Sequence, residues 1–293
     1  MPVKGYLFPG QGSQYVGMGK VLYHHSRSAR QMFETADRIL DMDLTQMMLE
    51  GSQEALKATA VAQPAIFLHS VVTAFVSDAF HPAAVAGHSL GEIAALVASE
   101  VIPFEDGLHL VAVRSKAMQK ACQLCPGTMA AVLGLRDEVV EEICAKITQE
   151  IVVPANYNCP GQLVISGSQS GVALAVEALI KSGARKVIPL QVEGGFHSPL
   201  MAHAQESFAE VLSSIPFSKG ICPIYQNVTG QPVTNPQTIK ANLLQQLIAP
   251  VFWTKTICHM VEDGITECIE CGPGTVLQGL TRKIAAALSI GAM

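Results

Sequence analysis

Apolar residues along this chain fall into short blocks whose spacing switches between the period of a strand and that of a helix. Lys4 to Phe8 is a short apolar strand that stops at Pro9-Gly10-Gln11-Gly12-Ser13-Gln14, a loop of turn residues. Helical spacing runs from Gln31 to Leu49. A second helix, nearly free of charge and so expected to be buried, begins at Gln63-Pro64-Ala65 and continues through Val76. Ala83 to Ala86 reads as a strand, Gly87-His88-Ser89-Leu90-Gly91-Glu92 as a sharp turn, and Ile93 to Ser99 as a helix. Pro103 opens a further helix, at a position where its missing N–H costs nothing, and that helix reaches about Cys122.

The pattern changes at Gly127. Met129 to Leu135 is predicted as a strand, Asp137 to Gln149 as a helix, Ile151 to Asn156 and Gln162 to Ser166 as strands, Gln169 to Ser182 as a helix, and Lys186 to Val192 as a strand. This β-α-β-β-α-β order is that of a ferredoxin-like subdomain, residues 127–194, inserted into a larger domain made of 1–126 and 195–293. Where the insert ends, Glu193-Gly194-Gly195-Phe196-His197-Ser198-Pro199 joins two glycines that permit close backbone approach to a Ser-Pro pair that caps and begins a helix. The rest of the chain offers Val251-Phe252-Trp253 within a helix, a strand at Glu267 to Glu270, and Cys271-Gly272-Pro273-Gly274 as a turn into a final helix.

The chemistry centres on the G-x-S-x-G spacing from Gly87 to Gly91, which, between a strand and a helix, is that of a nucleophile elbow. Glycine at both ends removes Cβ atoms that would collide where strand and helix cross, and leaves the Ser89 hydroxyl exposed. The amides that open the helix point at the same spot, so the Leu90 N–H is a candidate oxyanion donor. The loop after the first strand is not a phosphate loop, since no Gly-Lys-Ser/Thr follows, and Tyr15 stands where a dinucleotide fingerprint needs its third glycine. Gln11, between two glycines, is instead a candidate second donor. Among nine histidines His197 is the best-placed general base, because His88 adjoins Ser89 and projects elsewhere from a tight elbow. No acid to orient it can be named, and a backbone carbonyl is the alternative. Arg114 falls on the stripe of Val111 and Met118, opposite Lys116 and Lys120. A guanidinium left buried and unpaired is costly, so it meets either a protein carboxylate such as Glu92 or a ligand carboxylate gripped by its planar fork.

Composition narrows the classes. The 293 residues are 49% hydrophobic and 15% charged, enough for a sizeable core in one large or two modest domains. A net charge of -5 without a long basic run gives no footprint for nucleic acid. Met1 to Phe8 is too short for a signal peptide and no apolar stretch approaches membrane-spanning length, so a cytoplasmic protein without membrane attachment is expected. Two C-x-x-C pairs, Cys122/Cys125 and Cys268/Cys271, have the spacing of zinc ligands. They lie in distant parts of the chain, and the eight cysteines are expected to be reduced core residues with no metal site.

Taken together, Pro9 to Gln14, Gln63-Pro64-Ala65, Gly87 to Glu92, Arg114, Gly195 to Ser198 and Gly272-Pro273-Gly274 closely resemble the malonyl-CoA:acyl-carrier-protein transacylases over nearly the whole chain. Both the free-standing fatty-acid enzyme and the discrete trans-acting acyltransferases of polyketide synthases look like this. The resemblance implies an α/β fold, an α/β-hydrolase-like large domain with the ferredoxin-like insert. It implies Ser89 as nucleophile and His197 as base, Leu90 and Gln11 as oxyanion donors, and Arg114 as the grip on the malonyl carboxylate. Gln63 and His88 are implied at the substrate site, Gln246 as the residue whose backbone carbonyl orients the histidine, and Phe196 beside Leu90 as the mark of malonyl over methylmalonyl. Gly195 departs from the alanine usual there, which implies a little extra room. The implied donor is malonyl-CoA, a thioester substrate rather than a cofactor, and the implied partner is an acyl carrier protein, met by a basic patch such as Lys181, Arg185 and Lys186. An acyl hydrolase of the same fold, or a carrier-docking protein without catalysis, are the competing expectations. The first tends to lack the arginine, and the second would lack Ser89 or His197.

Overall fold

A computed structural model describes residues 2–293. The chain opens with β1 (Lys4–Phe8) and passes through α1 (Lys20–His25), α2 (Arg27–Leu40) and α3 (Leu44–Glu50) to the long α4 (Thr59–Phe75). Then come β2 (Ala84–Gly87), α5 (Gly91–Ala98) and α6 (Phe104–Leu124). The middle section is β3 (Gly127–Leu133), α7 (Asp137–Lys146), β4 (Val152–Cys159), β5 (Gln162–Ser168), α8 (Gln169–Lys181) and β6 (Lys186–Pro189). The remainder holds α9 (Ala202–Ser214), β7 (Ile224–Tyr225), β8 (Pro232–Val233), α10 (Pro236–Gln245), α11 (Trp253–Glu262), β9 (Glu267–Glu270), α12 (Val276–Ile284) and β10 (Ser289–Ala292).

Side-chain alternation decides how these elements stack. Six strands form one sheet in the order β10-β9-β1-β2-β7-β8, parallel except at the β8 edge. Along β1, Tyr6 and Phe8 join the core made with α4, α5 and α6, while Leu7 joins Trp253, Ile257 and Leu277 on the opposite face. A parallel sheet covered on both faces needs this unbroken apolar run. The other sheet is antiparallel, in the order β4-β5-β3-β6. Ala130, Val132 and Ile165 pack with Val140, Val172 and Leu179 beneath α7 and α8, whereas Met129, Ala131 and Val164 turn the other way into the main core. The small sheet thus lies on the large body, tied further by the Val251 N–H to the Ala155 carbonyl and the Tyr157 N–H to the Val251 carbonyl. Among the described residues no helix is long and apolar enough to cross a membrane.

Several predicted elements differ, each for a local reason. The single helix expected from Gln31 to Leu49 is two. Asp41 turns left-handed (φ 49°), and Asp37 Oδ1 accepts the Thr45 N–H at 2.9 Å to start α3. The helix expected at Gln63 begins a turn earlier, at Thr59, and carries Pro64 inside it; the Ala58 carbonyl accepts the Val61 and Ala62 N–H groups, and the distant Glu193 carboxylate lies 3.4 Å from the Thr59 N–H. Val251 is extended, bridged to Asn156, so α11 starts only at Trp253. β6 stops at Pro189, which brings no N–H to the ladder, and Leu190 to Val192 continue as a loop. β4 runs on to Cys159 with register shifts after Pro154 and Tyr157, and α7 ends at Lys146. The short strands β7, β8 and β10 carry no signal of their own in the sequence.

One crossing fixes the rest. A Cβ on Gly87 would lie 2.0 Å from the Gly91 carbonyl carbon, and one on Gly91 would lie 2.0 Å from the Phe8 carbonyl oxygen. The obstacles are backbone, which cannot rotate aside. Gly91→Ala is therefore expected to lower stability by about 3 kcal/mol or more, the upper end of overpacking losses. Gly279→Ala, in α12 with nothing within 4 Å of the added methyl, is expected to raise it by about 0.5–1 kcal/mol. Chemical denaturation of the two variants against wild type measures both.

Candidate active site

Between β2 and α5 the chain reverses at Ser89, held in the left-handed region at φ 52°. For a residue other than glycine this costs about 1–3 kcal/mol and persists only where the surroundings enforce it. Asn227, buried after β7, does so. Its Oδ1 accepts the Ser89 N–H at 2.7 Å and its Nδ2 donates to the Gly87 carbonyl at 2.6 Å. Sequence reasoning passed over Asn227, which lies far along the chain in no motif. The spatial neighbourhood alone marks it.

His197 lies in the loop after β6, two residues beyond the Gly194-Gly195 pair, and is also left-handed, at φ 56°. The Ser-Pro reading of the next residues holds, since Ser198 Oγ accepts the Leu200 N–H at the start of a short 3-10 turn. The ring spans two partners, with Nε2 2.7 Å from Ser89 Oγ and Nδ1 2.8 Å from the Gln246 carbonyl oxygen. A carbonyl only accepts, so Nδ1 carries the proton and Nε2 presents its lone pair to the serine. Burial, and next the nearby Arg114 cation, push the His197 pKa down to about 3.

Arg114 is 0% exposed on α6. Its Nη1 donates to Gln63 Oε1 at 2.8 Å, and its Nη2 to Gln246 Oε1 at 2.9 Å and to Ser89 Oγ at 3.1 Å. Nε has no partner among the described residues. The direct ion pair with Glu92, one of the two expectations for this residue, does not form. The Gln246 side-chain amide stands between the two, with its Nε2 3.0 Å from Glu92 Oε2. Burial lowers the Arg114 pKa to about 10, with Glu92 opposing, which leaves the guanidinium charged at neutral pH.

Ser89 and His197 meet at a cavity of about 160 Å³, with Gln63, Phe196, Met118 and Met129 in its walls, and Arg114 lies behind that wall, bonded to Gln63 and Ser89. Gln11 and Leu90 line it as well, and among the described residues neither backbone N–H donates to a protein acceptor. Leu90 immediately precedes α5, so its N–H shares the positive end of that helix. His88 touches the cavity but its ring turns away from the serine, with Nε2 3.0 Å from Asn158 Oδ1 and the ring against Trp253, and its pKa is lowered by burial. Gly195 is not in the wall. A Cβ there would meet the Gly167 carbonyl oxygen and Leu200 at 3.0 Å, so its lack of a side chain gives an acyl group no extra room, contrary to expectation. The structure adds Asn156, Lys57 at the rim, and the loop from Leu190 to Val192, none of which a motif marks. The cysteines are free thiols, and no cluster of three or more His, Cys, Asp or Glu among the described residues could hold a metal.

The model of the acyl transferase domain family matches residues 5–288. The malonyl CoA-acyl carrier protein transacylase of Bacillus subtilis is 42% identical over 283 residues, covering 95% of this chain and 89% of its own. That of Staphylococcus aureus strain MRSA252 is 38% identical over 280 residues, covering 95% and 91%. Among solved structures, an acyl carrier protein S-malonyltransferase from Vibrio cholerae superposes with a TM-score of 0.95 at 38% identity, covering 99% of this chain and 96% of that one. A malonyl-transacylase solved in complex with a type II polyketide synthase acyl-carrier protein gives 0.95 at 37% identity, covering 99% and 95%. A serine on a strained elbow, a histidine held by a carbonyl and a buried arginine thus sit in a chain that belongs to the acyl transferase family, among its malonyl-CoA:acyl-carrier-protein transacylases.

Proposed function

We propose that this enzyme moves a malonyl group from malonyl-CoA to the phosphopantetheine thiol of an acyl carrier protein, in fatty acid or polyketide synthesis, through a covalent Ser-His mechanism. The observation that carries this reading is the Arg114 guanidinium 3.1 Å from the Ser89 hydroxyl in a buried site. A malonyl ester has one methylene between carbonyl and carboxylate, so its charge stays within reach of a cation beside the ester oxygen. Such a cation selects an acyl group that carries an anion. The names of the relatives, and the carrier protein bound in one of the solved structures, support the donor and acceptor.

In the first half-reaction His197 Nε2 takes the Ser89 proton as the serine oxygen attacks the thioester carbonyl. The Leu90 and Gln11 N–H groups receive the negative oxygen. Collapse forms the malonyl-serine ester, and the departing CoA sulfur takes the proton from His197. The carrier thiol then gives its proton to His197, attacks the ester through the same oxyanion, and releases Ser89 with its proton restored. The Gln246 carbonyl keeps Nδ1 as the donor side throughout. Phe196, which lines the cavity together with Leu90, occupies the space an α-methyl would need. Protein side chains and the thioester account for each bond made and broken, so the reaction asks for no cofactor. In this reading 1–126 and 195–293 form the catalytic domain, and the inserted 127–194 contributes Met129, Asn156 and the loop after β6 to the cavity. Lys57 at the rim and the exposed Lys181, Arg185 and Lys186 offer charge to an acidic carrier.

On brief incubation with malonyl-CoA, intact mass should show one malonyl group on wild type, passed on when carrier protein is added, and none on Ser89→Ala. Arg114→Ala should acylate about 100-fold more slowly, the loss expected from a buried charge-assisted contact worth ~3 kcal/mol. Free malonate without carrier acylation would make the protein a hydrolase.

The pH dependence follows from His197. A histidine is a base only when neutral, and one depressed to about 3 from the ordinary 6.5 stays neutral as pH falls through the usual imidazole range. The acylation rate should therefore stay level from about pH 8 to about pH 5. An acid limb centred near 6.5, the ordinary imidazole value, would mean that the ring is not held as described. Because the Arg114 cation contributes to the depression, Arg114→Met should raise the pKa read from the His197 ring signal by NMR.

A further inference from the structure

Glu92 is a buried carboxylate beside the site to which the reaction above gives no part. It lies in the first turn of α5 and is 0% exposed. Gln226 Nε2 donates to its Oε1 at 3.0 Å, while the Asn227 main-chain N–H and Gln246 Nε2 donate to its Oε2 at 2.9 Å and 3.0 Å. All three contacts to its oxygens come from N–H groups that can only donate. The arrangement is that of a carboxylate. Burial pushes its pKa up, against the pull of these three N–H bonds and of Arg114.

Two of the three donors lead directly to the reacting groups. Asn227 holds the elbow through the Ser89 N–H and the Gly87 carbonyl. Gln246 offers its main-chain carbonyl to His197 Nδ1, and its side chain lies between two charges, with Oε1 on Arg114 Nη2 and Nε2 on Glu92 Oε2. An amide so placed is polarised in the sense that both charges favour, and it couples them without direct contact. Gln226, the third donor, is anchored to the Ile239 carbonyl and to Asn242 on α10.

We infer that Glu92 is a positioning residue for the acyl transfer: through the Gln246 amide its carboxylate is the countercharge of Arg114, and it sets the placement of both the Ser89 elbow and His197. The kinetic part rests on the proposed function, and the electrostatic part does not. Replacing the charge by an amide of the same shape has two separable effects. His197 and the elbow lose their common anchor, so the chemical step slows. Arg114 becomes less compensated, so an anionic donor binds no more weakly. Mere loss of fold would lower the amount of active protein and leave both parameters of the remainder as they were.

Single-turnover acylation by malonyl-CoA, followed by intact mass, reads maximal rate and half-saturating donor concentration separately. Glu92→Gln is expected to lower the maximal rate by about tenfold or more, with the half-saturating concentration unchanged or lower. If wild type gains no malonyl group, the functional reading has failed. If wild type reacts and Glu92→Gln keeps pace with it, or changes only its half-saturating concentration, the positioning role alone is overturned. Thermal unfolding of Glu92→Gln, Arg114→Met and the double variant gives a readout free of activity. A countercharge predicts that the double variant melts above Glu92→Gln, because it removes the cation that the single variant leaves uncompensated. Additive losses, or failure of both to fold, would overturn the pairing.

Discussion

A carbonyl oxygen of β1 and the first turn of α5 approach so closely that no side chain fits between them, and the left-handed turn at Ser89 depends on that contact. Gly91 sits where a methyl group would lie 2.0 Å from the Phe8 oxygen, and Gly87 where one would lie 2.0 Å from the Gly91 carbonyl carbon. With helix and strand this near, the chain must reverse at Ser89, and a left-handed serine follows. The burial of Leu90, Ile93, Leu96 and Val97 in the main core holds the helix there against the strain.

Beneath the elbow, polar side chains from remote stretches of sequence meet in a region without water-exposed surface. Arg114, Gln246, Asn227, Gln226 and Glu92 are all 0% exposed, and each is bonded to at least one of the others. In a low dielectric such bonds are strong when made and costly when missing, so the network admits few alternative arrangements. Its rigidity is what lets Ser89 and His197 stand 2.7 Å apart although each lies in an unfavoured backbone conformation. Burial lowers the basicity of the histidine, and the cation that bonds Ser89 and Gln246 lowers it further.

What was legible in the sequence was what is local. The elbow declares itself because its strand, glycines and helix are contiguous. Arg114 declares itself because a charge on an apolar stripe violates the helical pattern. The order of elements from Gly127 onward gives the antiparallel sheet, since short connections leave few topologies. Contacts across the chain were not legible. Glu193 meets the N-terminus of α4 from more than a hundred residues away, Val251 is bridged to β4 rather than helical, and the two-residue strand β7 pairs on the edge that β2 offers. Asn227 and the relay through the Gln246 side chain belong to the same class, because an amide in a polar stretch looks alike whether it is solvated or central. Gly195 shows the converse hazard: a difference in composition invites a reading about space, and the direction of the missing Cβ decides otherwise.

The strand order has a bearing on biosynthesis. β1 precedes every other strand of the chain, yet it lies inside the six-stranded sheet, between β2 and β9. The strand that covers the other edge of β1, residues 267–270, is the last but one of the sheet to be translated, so until then that edge has no partner strand. Ser89 emerges on the early half, whereas the ring that would take its proton and the carbonyl that orients the ring are encoded more than a hundred residues later. The contact between Ser89 and His197 therefore waits on the later half of the chain, as does the strand that closes the sheet beside the oldest one.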